Sequence, residues 1–198
     1  GKHIRSYHKE WSCLRDKKPE GRSKYYEKEK NFHIIETSKD LESKTHDIPN
    51  VTVSNYDGVK IPYSDEYLKD ILQSVKTIAM VGASPDKTKF SYGVLRVLHE
   101  TGYDMIPVNP KPEIKEIRNL KVYPNLASID RPVDMVEVFR KPEDLYGVAE
   151  EAITIGAKVL WGQIGVINHK AANLAEEAGL KVVMNRCPKI ELFRPFWK

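Results

Sequence analysis

Cysteine is nearly absent: the 198 residues hold two, Cys13 and Cys187. Two thiols in stretches of very different character do not make a secreted disulfide framework, and a reducing compartment is the expectation. Long apolar runs are missing too. Stretches such as 77–83 fall far short of the roughly 20 residues that a membrane-crossing helix needs. Neither sign of charge dominates. Lys and Arg number 32 against 28 Asp and Glu, for a net charge of +4, which permits an acidic ligand without demanding one. Four of the six histidines, His3, His8, His33 and His46, are too scattered for a zinc site. No internal repeat or low-complexity tract is found.

What is present divides in two. Residues 1–64 show no sustained apolar period. The first thirty carry ten Lys or Arg against five Asp or Glu; residues 31–65 carry three against six. Such a segment cannot bury enough surface to fold alone, so it is expected to be an extended N-terminal arm that wraps its own domain or lies on a partner. Residues 65–198 are of a length and composition to fold as one domain.

From Ser64 the pattern becomes regular. Ser64 followed by Asp65 and Glu66 reads as a helix start, with Tyr67, Leu68, Ile71, Leu72 and Val75 at helical spacing. Apolar strands are expected at 77–81, 104–108, 133–139, 159–161 and 181–184. Between them run helices closed by Gly102, Gly156 and Gly179, the last capped by Asn168. Between the second and third strands lies a loop with Lys111, Pro112 and Pro124. Strands alternate with helices and are continuously apolar, the mark of a parallel sheet covered on both faces. Right-handed crossovers make this an α/β, Rossmann-like doubly wound parallel sheet in three layers.

Open parallel sheets bind ligands past the carboxyl ends of their strands. The turns there are Gly82-Ala-Ser84, Asn109-Pro-Lys111, Phe139-Arg-Lys141, Gly162-Gln-Ile-Gly165 and Asn185-Arg-Cys-Pro188. Gly82 permits close approach of a ligand to the backbone. The helix opening near Ser91 offers N–H groups and a positive dipole end to a phosphate, with Lys87 and Lys89 beside it. The alternative is an ordinary tight turn. A dinucleotide fingerprint is lacking, since Ser84 stands where its second glycine would be and the second strand ends in Val108-Asn109 rather than an acid. A nicotinamide-dependent oxidoreductase is therefore disfavoured.

Seven blocks carry a resemblance: Val-Gly-Ala-Ser (81–84), Ser-Tyr-Gly-Val (91–94), Ile-Pro-Val-Asn-Pro (106–110), Val-Tyr-Pro-Asn-Leu (122–126), Val-Phe-Arg-Lys-Pro-Glu (138–143), Leu-Trp-Gly-Gln-Ile-Gly (160–165) and Met-Asn-Arg-Cys-Pro-Lys-Ile-Glu (184–191). In this order and spacing, residues 77–191 resemble the bacterial and organellar CoA-binding domain family, itself similar to the CoA-binding domain of the succinyl-CoA synthetase alpha subunit. The resemblance implies coenzyme A or an acyl-CoA as ligand. Gly82, Ala83, Ser84, Lys89, Ser91 and Tyr92 would face its pyrophosphate and pantetheine. Val108, Asn109 and Lys111 would face the adenosine or its phosphates. Phe139 and Arg140 would close over the nucleotide, and Gln163 and Gly165 would line the pantetheine path. The family usually carries a larger residue at Gly162, where glycine would loosen the rim, and Asp at Asn185.

No catalytic machinery is expected. Cys187 lacks a nearby motif histidine to activate it and is expected to pack against the last strand. The synthetase's phosphorylated histidine lies in a domain that this sequence does not reach. Two functional readings stand. One is non-catalytic binding of coenzyme A at the carboxyl edge of the sheet. The other is a structural subunit of a mitochondrial assembly, such as the mitochondrial ribosome, docked through residues 1–64. In the second, nucleic acid would be met only by non-specific phosphate contacts of the basic arm. A processed start at Gly1 fits the mitochondrial matrix, with the cytoplasm as alternative. No membrane association is expected.

Overall fold

The computed structural model describes residues 63–194. The expected arm, 1–64, lies outside them apart from Tyr63 and Ser64, and so does the docking role assigned to it.

Helix α1 spans Asp65–Ser74, and the Ser64 hydroxyl accepts from the Tyr67 N–H at 3.1 Å, as the sequence predicts. Strand β1 follows at Thr77–Val81, then α2 at Phe90–Thr101 and β2 at Asp104–Val108. A two-stranded hairpin comes next, β3 at Glu116–Ile117 and β4 at Leu120–Lys121. Its turn places Arg118 and Asn119 at φ 54° and 63°, the two-residue loop with both φ positive that suits hairpin twist. The sequence reading has only a loop here. Then come β5 at Met135–Val138, α3 at Leu145–Thr154, β6 at Val159–Gly162, α4 at His169–Glu177, β7 at Lys181–Val183 and the short α5 at Pro188–Leu192.

The five main strands are all parallel, in the order β2-β1-β5-β6-β7. The expected third strand, 133–139, is shorter, spanning Met135–Val138. Asp134 and Phe139 still donate to Thr77 and Val81 carbonyls of β1 at 3.0 and 2.8 Å. Similarly, β7 stops at Val183, one residue short of the expected strand, and the Met184 N–H donates to the Tyr63 hydroxyl.

Alternation along the strands divides the core between two faces. Ile78, Met80, Met135, Val159, Trp161 and Val183 pack with α1, α2 and α5 through Leu68, Ile71, Val94, Leu95, Leu98 and Leu192. The alternate positions, among them Ala79, Val136, Leu160 and Val182, are equally buried, and α3 and α4 cover that side with Val148, Ala149, Ala171 and Ala175. The result is the three-layer, Rossmann-like doubly wound sheet that the pattern implied. Gly102, Gly156 and Gly179, the expected helix stops, all have positive φ.

Candidate functional site

In this strand order the chain leaves β1 in one direction to reach β2 and returns across it to β5. The switch point, where ligands bind in open α/β sheets, is therefore the gap between the carboxyl ends of β1 and β5. Every expected site residue lies on that edge. Gly82, Ala83 and Ser84 follow β1; Lys89 caps α2, and Ser91 and Tyr92 open it. Val108, Asn109 and Lys111 end β2; Phe139 and Arg140 follow β5; Gln163 and Gly165 follow β6.

The space that Gly82 leaves is not open to a ligand. At φ 87°, a β-carbon there would stand 2.4 Å from the Phe139 carbonyl oxygen and 3.3 Å from Arg140 Cδ. The missing side chain lets the β1 and β5 turns close on each other. The amides of Gly82 and Ala83 are also engaged, both donating to the Val108 carbonyl at 3.1 and 3.3 Å. Asn109 ties the same turns from the other side. Its Nδ2 donates to the Ala83 carbonyl at 2.7 Å, and its Oδ1 accepts from the Lys111 N–H at 2.9 Å. Gly82, Ala83, Val108 and Asn109 thus form a rigid floor, and the start of α2 lies further along the same edge.

That start suits an anion. No acidic residue stands in the first turn of α2, and its N-cap, Lys89, makes no side-chain cap. Ser91 is buried there, beside half-buried Tyr92. The Tyr92 ring carries the Arg118 guanidinium 5.6 Å from its centre, and Arg118 pairs with Glu100 at 3.1 Å, so the hairpin braces this corner. The entry loop is ordered by Asp86, whose Oδ1 accepts from the Thr88 N–H and hydroxyl at 2.8 and 2.7 Å. Those bonds hold its carboxyl below the usual value. Lys87, Lys89, Lys111 and Lys141, in the turns of this edge, are exposed. Arg140 lies across Gly82 and donates from Nε to Asp144 at 3.2 Å.

On the β6 side, a β-carbon at Gly162 would stand 2.6 Å from the Val166 carbonyl. Glycine here does not loosen the rim; it lets 163–166 fold back tightly onto its own strand. Asn185, at φ 59°, reaches across from the end of β7, and its Oδ1 accepts from the Gly165 N–H at 2.9 Å. An acceptor at 185 is what the loop needs, and Asn supplies it as Asp would. The next residue, Arg186, is buried with its guanidinium 5.1 Å from the Tyr63 ring centre and its Nε 3.7 Å from Glu191.

Beneath this edge lies a group the sequence reading missed. Glu137 is fully buried in the central strand β5, and burial pushes its carboxyl up to about 8. It is in register with Met80 and Trp161, hence on the α1, α2 and α5 face. Cys187 is buried as well. Desolvation first, and then the nearby Glu137 carboxyl, push its thiol up, while a hydrogen bond with the Gln163 side chain acts the other way. A thiol so held stays protonated at neutral pH and is no nucleophile. His99 and His169 are not among the groups acting on it. Among the described residues no cluster of His, Cys, Asp and Glu suits a metal, and no helix is long and apolar enough to cross a membrane.

The model of the CoA binding domain family matches residues 76–192, the whole of the sheet and its edge. The chain belongs to the CoA-binding domain family. Among its relatives, the uncharacterized protein YneT of Bacillus subtilis is 42% identical over 123 residues, which are 62% of this chain and 90% of that one. The alpha subunit of acetate–CoA ligase (ADP-forming) I from Pyrococcus furiosus is 33% identical over 117 residues, 57% of this chain but 24% of that protein. Among solved structures, a hypothetical protein of Pyrococcus horikoshii superposes with a TM-score of 0.62 at 40% identity, covering 65% of this chain and 89% of that one. A Thermus thermophilus protein gives 0.61 at 32% identity, covering 65% and 96%.

Proposed function

We propose that this domain is a binding module for coenzyme A or an acyl-CoA, held in the crevice outside the carboxyl ends of β1, β2, β5 and β6, with no bond-making chemistry of its own. The observation that carries this is the convergence, at the β1/β5 switch point, of an acid-free helix start with the four turns of a CoA-binding family member. The phosphates would rest at the N-terminus of α2 near Ser91, where the helix dipole and the lysine rim favour negative charge. Arg140 would cover the nucleotide from the β5 side. The pantetheine arm would run along Gln163 and Gly165. The residues present fit such a ligand: an anion-ready helix start for its phosphates, and buried polar groups beneath the edge for its polar tail. In the ligase subunit the corresponding domain is about a quarter of the protein, which accords with a role in holding the cofactor while other parts act on it.

Isothermal titration of the full chain with coenzyme A, dephospho-CoA and 3′,5′-ADP tests this. Saturable heat with coenzyme A, weakened in Arg140→Ala and in a Lys89→Ala/Lys111→Ala pair, is the expected result. Absence of heat with all three ligands overturns it.

A further inference from the structure

Arg140 is held at the switch point by one atom only. Its Cδ lies 3.3 Å from the point that a β-carbon on Gly82 would occupy, so the side chain crosses from the β5 turn onto the β1 turn. Its Nε donates to Asp144 Oδ2 at 3.2 Å. Among the described residues nothing else bonds the guanidinium, and both terminal nitrogens are without a protein partner. Arg131 shows the alternative. Its Nε and one terminal nitrogen donate to the two oxygens of Asp104 at 3.0 and 2.8 Å, a bidentate pair that takes up the planar fork. Arg140, bonded through Nε alone, keeps its terminal pair for an outside oxyanion, and that pair matches two oxygens of one phosphate.

Asp144 is itself fixed. It closes the short 3-10 turn Pro142–Asp144, with its N–H donating to the Lys141 carbonyl at 3.0 Å. Asn168 ties that turn to the start of α4: its Nδ2 donates to the Pro142 carbonyl at 3.1 Å, while its Oδ1 accepts from the Ala171 N–H at 3.0 Å. On the other side of Arg140, the Phe139 N–H donates to the Val81 carbonyl at 2.8 Å. Asp144 directly precedes α3 yet makes no side-chain cap to it; its carboxylate goes to Arg140. The two side chains are 44% and 36% exposed, and an ion pair so open to water contributes little to stability. What it fixes is the direction of a long, flexible side chain. We propose that Asp144 is a positioning residue: it holds Arg140 across the β1 turn so that the terminal nitrogens can take a ligand phosphate bidentately. The inference rests on the coenzyme A reading and adds to it the residue that orients its arginine before the ligand arrives. A side chain already held loses less freedom on binding. The Asp144 charge by itself repels an anion, so orientation and charge act in opposite senses and substitution can separate them.

Titrations of the full chain with coenzyme A and with 3′,5′-ADP test it, on the wild type, Asp144→Asn and Asp144→Ala, and on the same two substitutions made in Arg140→Ala. A melting curve for each variant verifies folding. Both substitutions at 144 remove the charge, but only Asn keeps an oxygen to accept from the Arg140 Nε. The expected result is coenzyme A about five-fold weaker in Asp144→Ala than in Asp144→Asn, the cost of ordering one long side chain on binding. Without Arg140 the two substitutions should bind alike. Equal affinity of the two single variants for coenzyme A, with the wild type still binding, overturns the positioning role alone. A difference that persists in the Arg140→Ala background overturns it as well, since Asp144 would then act by another route. If the wild type binds neither ligand, the coenzyme A reading falls and takes the inference with it.

Discussion

The carbonyl oxygen of Phe139 stands 2.4 Å from the point that a β-carbon on Gly82 would occupy. The two residues follow the strands on either side of the switch point, so this contact sets how closely the two turns approach. Gly82→Ala would put a methyl group against backbone and also force a non-glycine residue to φ 87°. Strain of this kind costs about 1–3 kcal/mol, before the displacement of Phe139 is counted. A melting temperature lower by several degrees, with weaker coenzyme A binding, is expected. Gly147 provides the contrast. It lies exposed in α3, and a β-carbon there would meet nothing within 4 Å. Gly147→Ala should therefore stabilise by roughly 0.5–1 kcal/mol through helix propensity. Thermal melts of the two variants side by side would separate a glycine needed for contact from one that is merely tolerated.

Asn185 controls the opposite wall. Its side chain accepts the Gly165 N–H, and its own backbone sits in the left-handed region, which Asn tolerates better than most residues. Asn185→Ala loses both features and should cost about 1–3 kcal/mol. Gly165 would then be released, so coenzyme A should weaken while 3′,5′-ADP, which lacks the pantetheine arm, should not. Asn185→Asp keeps the acceptor and should bind coenzyme A much as wild type does. Equal weakening of both ligands in Asn185→Ala would show that the loop does not serve the arm.

The framework was legible because its signals are local. Ser64 and Asn168 cap the helices they were expected to cap, and Gly102 and Gly179 sit just past the helices they were expected to stop. The parallel sheet, and with it the edge on which the candidate site residues lie, followed from strand alternation and the crossover rule. What sequence hid was contact between distant turns. The Gly82 space is filled by Phe139, and the Gly162 space by the Val166 carbonyl; neither neighbour is implied by the glycine itself. The β3/β4 hairpin has two residues per strand, too few for any period to show. Glu137 did leave a signal, a lone acid inside Met135–Val138, but reading the strand as continuously apolar passed over it.

Tyr67 guards an open edge. Among the described residues strand β7 ends the sheet, and an unpaired strand edge invites pairing with another chain. The Tyr67 hydroxyl lies 3.0 Å from both the N–H and the carbonyl oxygen of Val182, accepting from one and donating to the other, and the Tyr63 hydroxyl accepts from the Met184 N–H. The two rings stack at 5.9 Å. Tyr67→Phe leaves both Val182 groups without this partner and should cost about 1–3 kcal/mol. Concentration-dependent self-association, read by light scattering, should accompany the lower melting temperature. A variant that melts lower yet scatters like wild type would show that the hydroxyl stabilises the fold without shielding the edge.

Glu137 makes stability depend on pH in an unusual direction. Its carboxyl rises from an ordinary 4.5 to about 8 on folding, so between those values the folded chain holds a proton that the unfolded chain has lost. Stability then falls as pH rises, by up to about 1.4 kcal/mol per pH unit across that window. Below it both states are protonated; above it both are ionised and the cost of the buried charge is constant. Cys187, just before α5, is also raised from its ordinary 9.0, chiefly by burial, so its contribution has the same sign but falls above pH 9. Asp134 is held below its ordinary 3.8 by the Thr77 and Lys76 amides and by Lys158, against its own desolvation; it acts in the opposite sense, and only in acid. Of these three groups, only Glu137 contributes a slope between pH 5.5 and 7.5. Wild type should lose melting temperature steadily over this range. Glu137→Leu, which replaces a buried polar group with an apolar one, should melt higher at pH 7.5 and show little slope. Parallel curves for the two proteins would mean that the carboxyl keeps its ordinary affinity for protons despite its place in the core.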